Sequence, residues 1–363
     1  MTIHGGDVWR VSEELGKPAS EILDFSANIN PRGLPDRARE RLLKDAADSR
    51  LLSFYPDPSA SHLRRALSKL LNCAAESIVV GSGAESLLSP IIRSLGVRRV
   101  LVPVPAFSEY RRVCEQEQVE FVPFKLLRAD DYRIPVAPFC ESIQNSQSDL
   151  VLLNNPHNPS GSFLSQDEVR NILETAMARR IPLLLDEAFI DYTAGASLVR
   201  HAAETPGLIT IRSLTKFYGC PALRAGYAIA HPDMIRRIQN LLPTWGVTQL
   251  ALNTLAEAIT DVGYAHSSRC QNEAERQNLS YSLSRLGLKV FPSAANYLML
   301  ELPEDMPTAS ELRSSLIARH NILIRNCDSY QGLEKGHFVR VAVRSGFENE
   351  RLVQALREEL KLT

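Results

Sequence analysis

The segment Ser213-Leu-Thr-Lys216 places a lysine three residues after a serine, and Arg224 follows eight residues later. A lysine amine forms an imine with an aldehyde cofactor when it is partly neutral, and desolvation or nearby cations lower its pKa toward that state. The serine hydroxyl and the planar guanidinium are donors that suit a phosphate group. An exposed loop lysine beside an ion-paired arginine would show the same spacing, so the segment needs support from elsewhere.

A carboxylate ends another apolar run, because Asp186 follows Leu183-Leu-Leu. A carboxylate that faces a pyridine nitrogen keeps that nitrogen protonated, which makes the ring an electron sink. Such a charge-assisted bond contributes about 1.5–3 kcal/mol. The alternative role for Asp186 is to cap the helix that follows.

A proline-rich turn follows the strand-like run that ends at Asn154. In residues 154–161 (NNPHNPSG) two X-Pro steps and a glycine fix a rigid turn. The side-chain amide of Asn158 has donors for a phenolate oxygen, although the segment could also be only a stiff connection between strand and helix.

A glycine-containing loop, residues 80–85 (VGSGAE), joins a strand to a helix predicted to begin near Ala84. Free N–H groups at a helix start bind phosphate, and Gly83, Ala84 and Glu85 would supply them. Position 86 is serine, so the loop does not match the dinucleotide fingerprint. Together the glycine loop, the aromatic Phe107, the amide, the carboxylate, the lysine and the arginine point in this chain order to pyridoxal 5′-phosphate (PLP).

The elements that must hold these groups are short apolar runs alternating with amphipathic stretches. Dense Val, Ile and Leu content predicts strands buried on both faces, at residues 78–80, 100–104, 119–124, 150–154, 182–186, 209–212 and 227–230. Residues 165–180 read as a helix that opens with a capping box, Ser165 with Glu168. This alternation predicts a mostly parallel α/β sheet of seven strands between helices.

The pattern changes near residue 245. Helical stretches over about 247–287 lead to strand-like residues 297–301, 322–325 and 338–343 and a final helix. We therefore predict a large domain over residues 45–245 and a smaller α+β domain built from residues 1–44 and 246–363. The site is expected in the crevice at the strands' carboxyl ends, between the two domains.

Composition restricts the class of protein. The chain has 363 residues and a formal net charge of −1, so no overall positive field argues for nucleic acid or an anionic membrane. The six cysteines show neither CxxC nor zinc spacing, which favours reduced thiols. With no long apolar run and no apolar stretch near Met1, we expect a soluble, cytoplasmic protein without a metal site.

The motifs NPxNPxG, then Asp, then SxTK with its arginine resemble the fold-type-I PLP-dependent enzymes of the aspartate-aminotransferase superfamily, over essentially the whole chain. Two branches are similar: the histidinol-phosphate aminotransferases and the threonine-phosphate decarboxylases of cobalamin biosynthesis. The second branch is favoured by residues 4–6 (HGG), 24–33 (DFSANINPRG), 105–110 (PAFSEY), 186–191 (DEAFID), 324–327 (IRNC) and 340–344 (RVAVR). Phe189 stands where many relatives have a tyrosine that contacts the cofactor's phenolate oxygen.

The resemblance implies roles for individual residues. Lys216 would be the catalytic lysine, Asp186 the partner of the ring nitrogen, Asn158 the phenolate contact, and Phe107 the stacking aromatic. The cofactor phosphate would be held by Gly83, Ala84, Glu85, Ser213, Arg224 and, from the neighbouring subunit of a homodimer, Tyr55. Substrate phosphate and carboxylate would be bound by His4, Gly5, Asn30, Asn158, Arg325 and Arg340. Relatives usually have glycine where this chain has Ala222, which predicts strain if the backbone there needs a positive φ.

The resemblance also implies a reaction. We expect decarboxylation of O-phospho-L-threonine to (R)-1-amino-2-propanol O-2-phosphate, and the alternative is histidinol-phosphate aminotransferase. A PLP-binding protein without turnover is a third hypothesis, and the joint presence of Lys216, Asp186, Arg325 and Arg340 argues against it.

Overall fold

The computed structural model describes residues 4–193, 195 and 197–360, which fold around two sheets and a short strand pair. The strands are β1 Leu23–Asp24, β2 Ile78–Gly81, β3 Arg99–Val104, β4 Glu120–Lys125, β5 Leu150–Asn154, β6 Leu183–Asp186, β7 Leu208–Ser213, β8 Gly226–Ile229, β9 Lys289–Val290, β10 Tyr297–Glu301, β11 Ile322–Leu323, β12 Arg325–Asn326 and β13 Phe338–Ala342. The helices are α1 Val8–Leu15, α2 Asp36–Ala47, α3 Ser49–Leu52, α4 Ser61–Leu71, α5 Leu88–Leu95, α6 Ser108–Gln116, α7 Val136–Asn145, α8 Gln166–Ala178, α9 Val199–Ala202, α10 Pro232–Gln239, α11 Gln249–Ala258, α12 Val262–Ser284, α13 Ala309–His320 and α14 Gly346–Glu359.

The large sheet has seven strands in the order β2-β8-β7-β6-β5-β3-β4. Strand β8 runs antiparallel to both of its neighbours, and the other pairs are parallel. Every residue of β5, β6 and β7 is buried, as expected for strands covered by helices on both faces. The predicted fold class and the seven predicted strands are confirmed.

The second sheet has the order β12-β13-β10-β9, with all three pairs antiparallel. Beside it, β1 near the start of the chain pairs in parallel with β11 near its end, with Leu23 opposite Ile322. One apolar core joins Leu23 and Phe25 to residues of β10, β13 and α14. The smaller α+β unit is therefore built from both ends of the chain.

The predicted limits of this smaller unit stay a prediction. Leu252 and Leu255 of α11 lie in an apolar core that includes residues of the large sheet but also Met299 and Phe338 of the second sheet. An amphipathic pattern shows which face of a helix is buried, but it does not say against which sheet.

Two local predictions had different outcomes. Helix α8 begins after Ser165 with the predicted capping box, in which Ser165 and Glu168 satisfy each other's backbone N–H groups. The helix expected to begin near Ala84 starts later, because a 3₁₀ turn, Glu85–Leu87, precedes α5 at Leu88.

Among the described residues no helix is long and apolar enough to cross a bilayer, and no cluster of potential metal ligands is present.

Candidate functional site

A cavity of about 580 Å³ opens at the carboxyl ends of β5, β6 and β7. Its position follows from the parallel sheet, because Asn154, Asp186 and Ser213 each end one of these neighbouring strands and all three line the cavity. The predicted residues that line it are His4, Gly83, Ala84, Glu85, Phe107, Asn158, Asp186, Ser213, Lys216 and Arg224.

Lys216 lies on the loop that follows β7, and its Nζ stands 5.0 Å from the centre of the Phe189 ring. Burial lowers the pKa of the lysine, and the nearby Arg224 and Arg340 lower it further, while Asp186 opposes the shift. The side chain is thus moved toward the neutral amine that imine formation requires.

Asp186 is a buried carboxylate with fixed orientation. Its Oδ2 accepts a hydrogen bond from the Tyr110 hydroxyl at 2.7 Å, and its Oδ1 accepts one from the backbone N–H of Ala188 at 2.9 Å. Burial raises the pKa of Asp186, while Tyr110 and Lys216 act in the opposite direction. Asp186 does not cap the following 3₁₀ helix, which begins at Ile190 with Phe189 at its N-cap and no side-chain cap, and the carboxylate faces the cavity.

The loop after β2 forms a cradle against Arg224. Gly83 has φ +90°, and a Cβ there would lie 2.8 Å from Nη2 of Arg224. A Cβ at Gly226 would lie 2.4 Å from the backbone nitrogen of Ala84, so β8 also presses closely on this loop. The loop backbone, the Arg224 guanidinium and the Ser213 hydroxyl all line the cavity, and such donors fit a phosphate. The N–H of Gly83 is used inside the loop, where it donates to the Gly81 carbonyl at 2.8 Å.

The strain expected at Ala222 lies elsewhere. Ala222 is part of the 3₁₀ turn Pro221–Leu223, and it is Arg224 that adopts a positive φ of 45°. A non-glycine residue in this region costs about 1–3 kcal/mol. Alanine is tolerated at position 222 because the positive φ occurs two residues later, at Arg224.

Two buried arginines lie side by side across β12 and β13, where Arg325 and Arg340 are partners in the antiparallel register. Arg325 donates to the Ser329 hydroxyl at 2.7 Å, and Arg340 donates to the Tyr330 hydroxyl at 3.0 Å and to the Ser26 carbonyl at 3.2 Å. Within the described part of the chain neither is ion-paired with a carboxylate, and Nε of Arg340 has no partner. Buried guanidinium groups in this state require an anionic ligand.

Asn158 connects the arginines to the cofactor cavity. Its Oδ1 accepts hydrogen bonds from Arg340 and from the Tyr330 hydroxyl, which orients the amide. The NH₂ group has no acceptor among the described residues, and Asn158 lines the cavity. This arrangement fits the predicted donation to a phenolate oxygen, and Phe189, which lacks a hydroxyl, cannot add to it.

Five predicted residues are not among those lining the cavity: Gly5, Asn30, Tyr55, Arg325 and Arg340. Arg325 lines a second cavity of about 560 Å³, together with His4 and Ser26. The Asn30 amide is used inside the protein, with donation to the Phe217 carbonyl at 2.8 Å, so the structure does not bring it to the cavity. Gly5 packs on the backbone of Ser26, and Tyr55 is exposed and stacks on Trp245 with ring centres 4.4 Å apart. A role for Tyr55 in a neighbouring subunit stays a prediction.

Tyr110, Tyr330 and Glu109 were missed by the sequence reasoning as site residues. Glu109 and Tyr110 belong to the PAFSEY segment, two and three residues after Phe107. Their position within one helix turn of Phe107 was the signal that could have identified them. Tyr330 follows β12 in a turn, and nothing in the sequence pattern indicated that its hydroxyl reaches Asn158.

Comparison with known proteins gives consistent results. The family model for class I and II aminotransferases matches residues 20–357. The chain is 33% identical to the threonine-phosphate decarboxylase of Salmonella typhimurium, over 98% of this chain and 96% of that protein. It is 32% identical to the adenosylcobalamin biosynthesis bifunctional protein CobDQ of Leptospira interrogans over 97% of this chain, but it spans only 40% of that relative.

A solved structure also matches closely. The histidinol-phosphate aminotransferase of Clostridium acetobutylicum superposes with a TM-score of 0.84 at 26% identity, covering 94% of this chain and 100% of that one. The fold is therefore shared by proteins named for two different reactions.

Proposed function

The chain belongs to the class I and II aminotransferase family, and from that premise we propose that it decarboxylates O-phospho-L-threonine to (R)-1-amino-2-propanol O-2-phosphate, for assembly of the nucleotide loop of cobalamin. It is a PLP-dependent enzyme, as the sequence predicted. The threonine-phosphate decarboxylase of Salmonella typhimurium, similar over nearly the whole of both chains, supports this substrate and reaction.

The arginine pair Arg325–Arg340 is the observation that carries the proposal. O-Phosphothreonine has a phosphate and a carboxylate on one short molecule, which matches two buried guanidinium groups side by side without carboxylate partners in the described chain. A histidinol-phosphate aminotransferase would also need an arginine pair, for the phosphate of one substrate and the carboxylate of the other. The pair therefore supports a substrate site for phosphate and carboxylate, and the similarity to the Salmonella typhimurium enzyme favours decarboxylation.

Bound PLP supplies a protonated pyridine ring that accepts the electron pair of one bond at the substrate Cα. We assign Asp186 to keep the ring nitrogen protonated, with Tyr110 fixing the carboxylate, and the glycine loop with Ser213 and Arg224 to hold the phosphate. Lys216 is the cavity residue whose amine can give a proton to Cα or take one from it.

The arginine pair would also decide the reaction. The bond that breaks is the one held perpendicular to the ring, so anchoring phosphate and carboxylate fixes the choice between loss of CO₂ and loss of the Cα proton. Orientation of this kind can contribute about 7–11 kcal/mol to lowering a barrier.

Histidinol-phosphate aminotransferase is the second candidate, and the similarity to the Clostridium acetobutylicum structure favours it. The two reactions are separated directly by substrate. We expect purified, PLP-loaded protein to release CO₂ from O-phospho-L-threonine and to form a phosphorylated amine. Rapid amino transfer from histidinol phosphate to 2-oxoglutarate, with no CO₂ from phosphothreonine, would contradict the proposal.

The arginine pair gives a sharper test through Arg340→Met. Loss of one partner of a buried charged contact costs about 2–5 kcal/mol, so KM for O-phosphothreonine should rise at least about thirtyfold. The unfolding temperature of the ligand-free variant should not fall, because a buried cation without a counter-ion is removed.

Arg344→Met is the matched control, since Arg344 is ion-paired with Glu348 at 2.7 Å. It should leave KM nearly unchanged and lower the unfolding temperature slightly. If Arg340→Met lowers the unfolding temperature with no effect on KM, Arg340 has a structural role instead.

A further inference from the structure

Glu109 is a carboxylate that lines the cavity and has no part in the proposed chemistry. It lies in the first turn of α6, and only 5% of its side chain is exposed. A bare carboxylate at this position would repel an anionic substrate, and its burial would be costly without partners. The contacts of Glu109 therefore need an explanation.

Two basic side chains contact the carboxylate. Nε2 of His4 lies 2.7 Å from Oε1 of Glu109, and the other carboxylate oxygen, Oε2, accepts from Nε of Arg112. Oε1 has no hydrogen-bond partner in the described chain, so the contact with His4 is close but is not an aligned hydrogen bond. Arg112 also donates to Glu85, at 2.7 Å. A series of side-chain contacts therefore runs from the N-terminal segment through Glu109 and Arg112 to the glycine loop that follows β2.

The backbone beside His4 has a second point of attachment, at Ser26. A Cβ on Gly5 would lie 2.0 Å from the Ser26 carbonyl oxygen, so residue 5 rests directly on that backbone. The N–H of Gly6 donates to the Ser26 hydroxyl at 2.8 Å. The same Ser26 carbonyl accepts a hydrogen bond from Arg340 at 3.2 Å, so the backbone that Gly5 contacts is also bonded to one arginine of the pair.

Because the adjacent backbone is held against Ser26, the direction of the His4 side chain depends on Glu109. The imidazole stands at the cavity wall, 6.1 Å from the ring of Phe107, and its Nδ1 is 3.5 Å from the Ser108 hydroxyl. His4 is also 41% exposed, so few packing contacts hold it. The contact with the buried carboxylate is its strongest link to the large domain.

We propose that Glu109 is a positioning residue that holds His4 and the N-terminal segment against the cavity when the substrate binds. This inference rests on the proposed function only in taking the substrate to be a phosphorylated amino acid. Glu109 acts through His4 and does not itself contact the reacting atoms.

The variant Glu109→Gln distinguishes this role from a purely electrostatic one, because the two predict opposite signs. If Glu109 were only a negative charge in the wall, its neutralisation would lower KM for an anionic substrate. If it positions His4, KM for O-phospho-L-threonine should rise about tenfold, the loss of one charge-assisted contact, while kcat stays within about twofold.

A second readout does not need turnover. In the PLP-loaded protein, hydrogen–deuterium exchange of residues 4–15 should become faster in Glu109→Gln, because the segment loses its link to α6. The matched control is Glu115→Gln on the same helix, an exposed residue next to Arg111, which should change neither KM nor exchange.

A double variant completes the test. In a His4→Ala background, Glu109→Gln should have almost no further effect on KM, since the residue acts through His4. Additive effects, a lower KM or unchanged exchange would each overturn the inference. If the wild-type protein releases no CO₂ from phosphothreonine, the proposed function fails, and the exchange comparison still decides the role of Glu109.

Discussion

Burial acts in opposite directions on the two ionisable groups at the centre of the cavity. Desolvation lowers the pKa of Lys216 and raises the pKa of Asp186, because it disfavours the charged form of each. Each group partly restores the charged state of the other. The two side chains therefore form a coupled pair, and a change in one must appear in the titration of the other.

Asp186→Asn makes this coupling measurable. Asp186 raises the pKa of Lys216, so its removal should lower that pKa further and leave more neutral amine at a given pH. The pH midpoint for capture of PLP by the cofactor-free protein, followed by visible absorbance, should move to lower pH. Turnover should nevertheless fall at least about tenfold, because the ring nitrogen loses its charged partner.

The exposed Asp233 of α10 provides the control, since Asp233→Asn removes the same charge far from the cavity. It should leave both the midpoint and turnover unchanged. A midpoint that moves to higher pH in Asp186→Asn would contradict the coupling.

Residue types and order were enough to predict most of the cavity lining, because the chemistry of PLP requires a lysine, a carboxylate and phosphate donors together. Distances between separate segments were not available from the pattern. Asn30 was predicted to bind substrate, yet its amide is saturated by Phe217, Tyr264 and Ser268. Tyr330 contacts Asn158 across 172 residues of chain, and such a pairing exists only after folding.

At the scale of elements, the site depends on loops that leave the sheet at neighbouring strand ends. The loop after β2 approaches Arg224 so closely that Gly83 has no room for a side chain. Gly96 at the end of α5 also has a positive φ, +65°, but a Cβ there would meet nothing within 4 Å. Alanine substitutions at the two glycines therefore separate the effect of backbone strain from the effect of a steric clash with Arg224.

We expect Gly83→Ala and Gly96→Ala each to lower the free energy of unfolding by about 1 kcal/mol, because alanine is strained at a positive φ. Only Gly83→Ala should also weaken PLP binding, by about tenfold or more, because its methyl group displaces Arg224. Calorimetry gives the binding constants and thermal unfolding gives the stabilities. Equal PLP affinity in the two variants would mean that the loop does not hold the phosphate.

The strands were the easiest elements to predict, since continuous apolar runs of Val, Ile and Leu mark β5, β6 and β7 clearly. The domain limit was harder, because α11 is amphipathic and could have packed on either sheet. Leu252 and Leu255 lie in an apolar core that residues of both sheets share. Local periodicity determines which face of a helix is buried, whereas the choice of partner depends on the whole fold.

At the scale of the whole molecule, one predicted cofactor residue faces outward. Tyr55 is 77% exposed and stacks on Trp245, itself 53% exposed, and Phe54 beside them is 62% exposed. Adjacent exposed aromatics of this kind are typical of a protein–protein interface. A homodimer in which Tyr55 enters the partner's site remains our prediction.

Mixed dimers test that arrangement. Lys216→Ala and Tyr55→Ala are each expected to be nearly inactive, but co-expression should restore about a quarter of wild-type activity. Half of the dimers are then mixed, and each mixed dimer has one intact site. Restoration should be absent when Lys216→Ala is combined with Asp186→Asn, because both residues belong to the same subunit's cavity. An inactive Tyr55→Ala without restoration would mean that Tyr55 acts within its own subunit, and an active Tyr55→Ala would place it outside the site.

The pairing of β1 with β11 has a consequence for how the protein is made. Residues 23–24 leave the ribosome almost three hundred residues before their partners at 322–323. Until then Leu23 and Phe25 have no apolar core to enter, while the large sheet is complete once β8 has been synthesised. The nascent chain thus completes the glycine-loop cradle first and gains the arginine pair only later, when β12 and β13 have been synthesised.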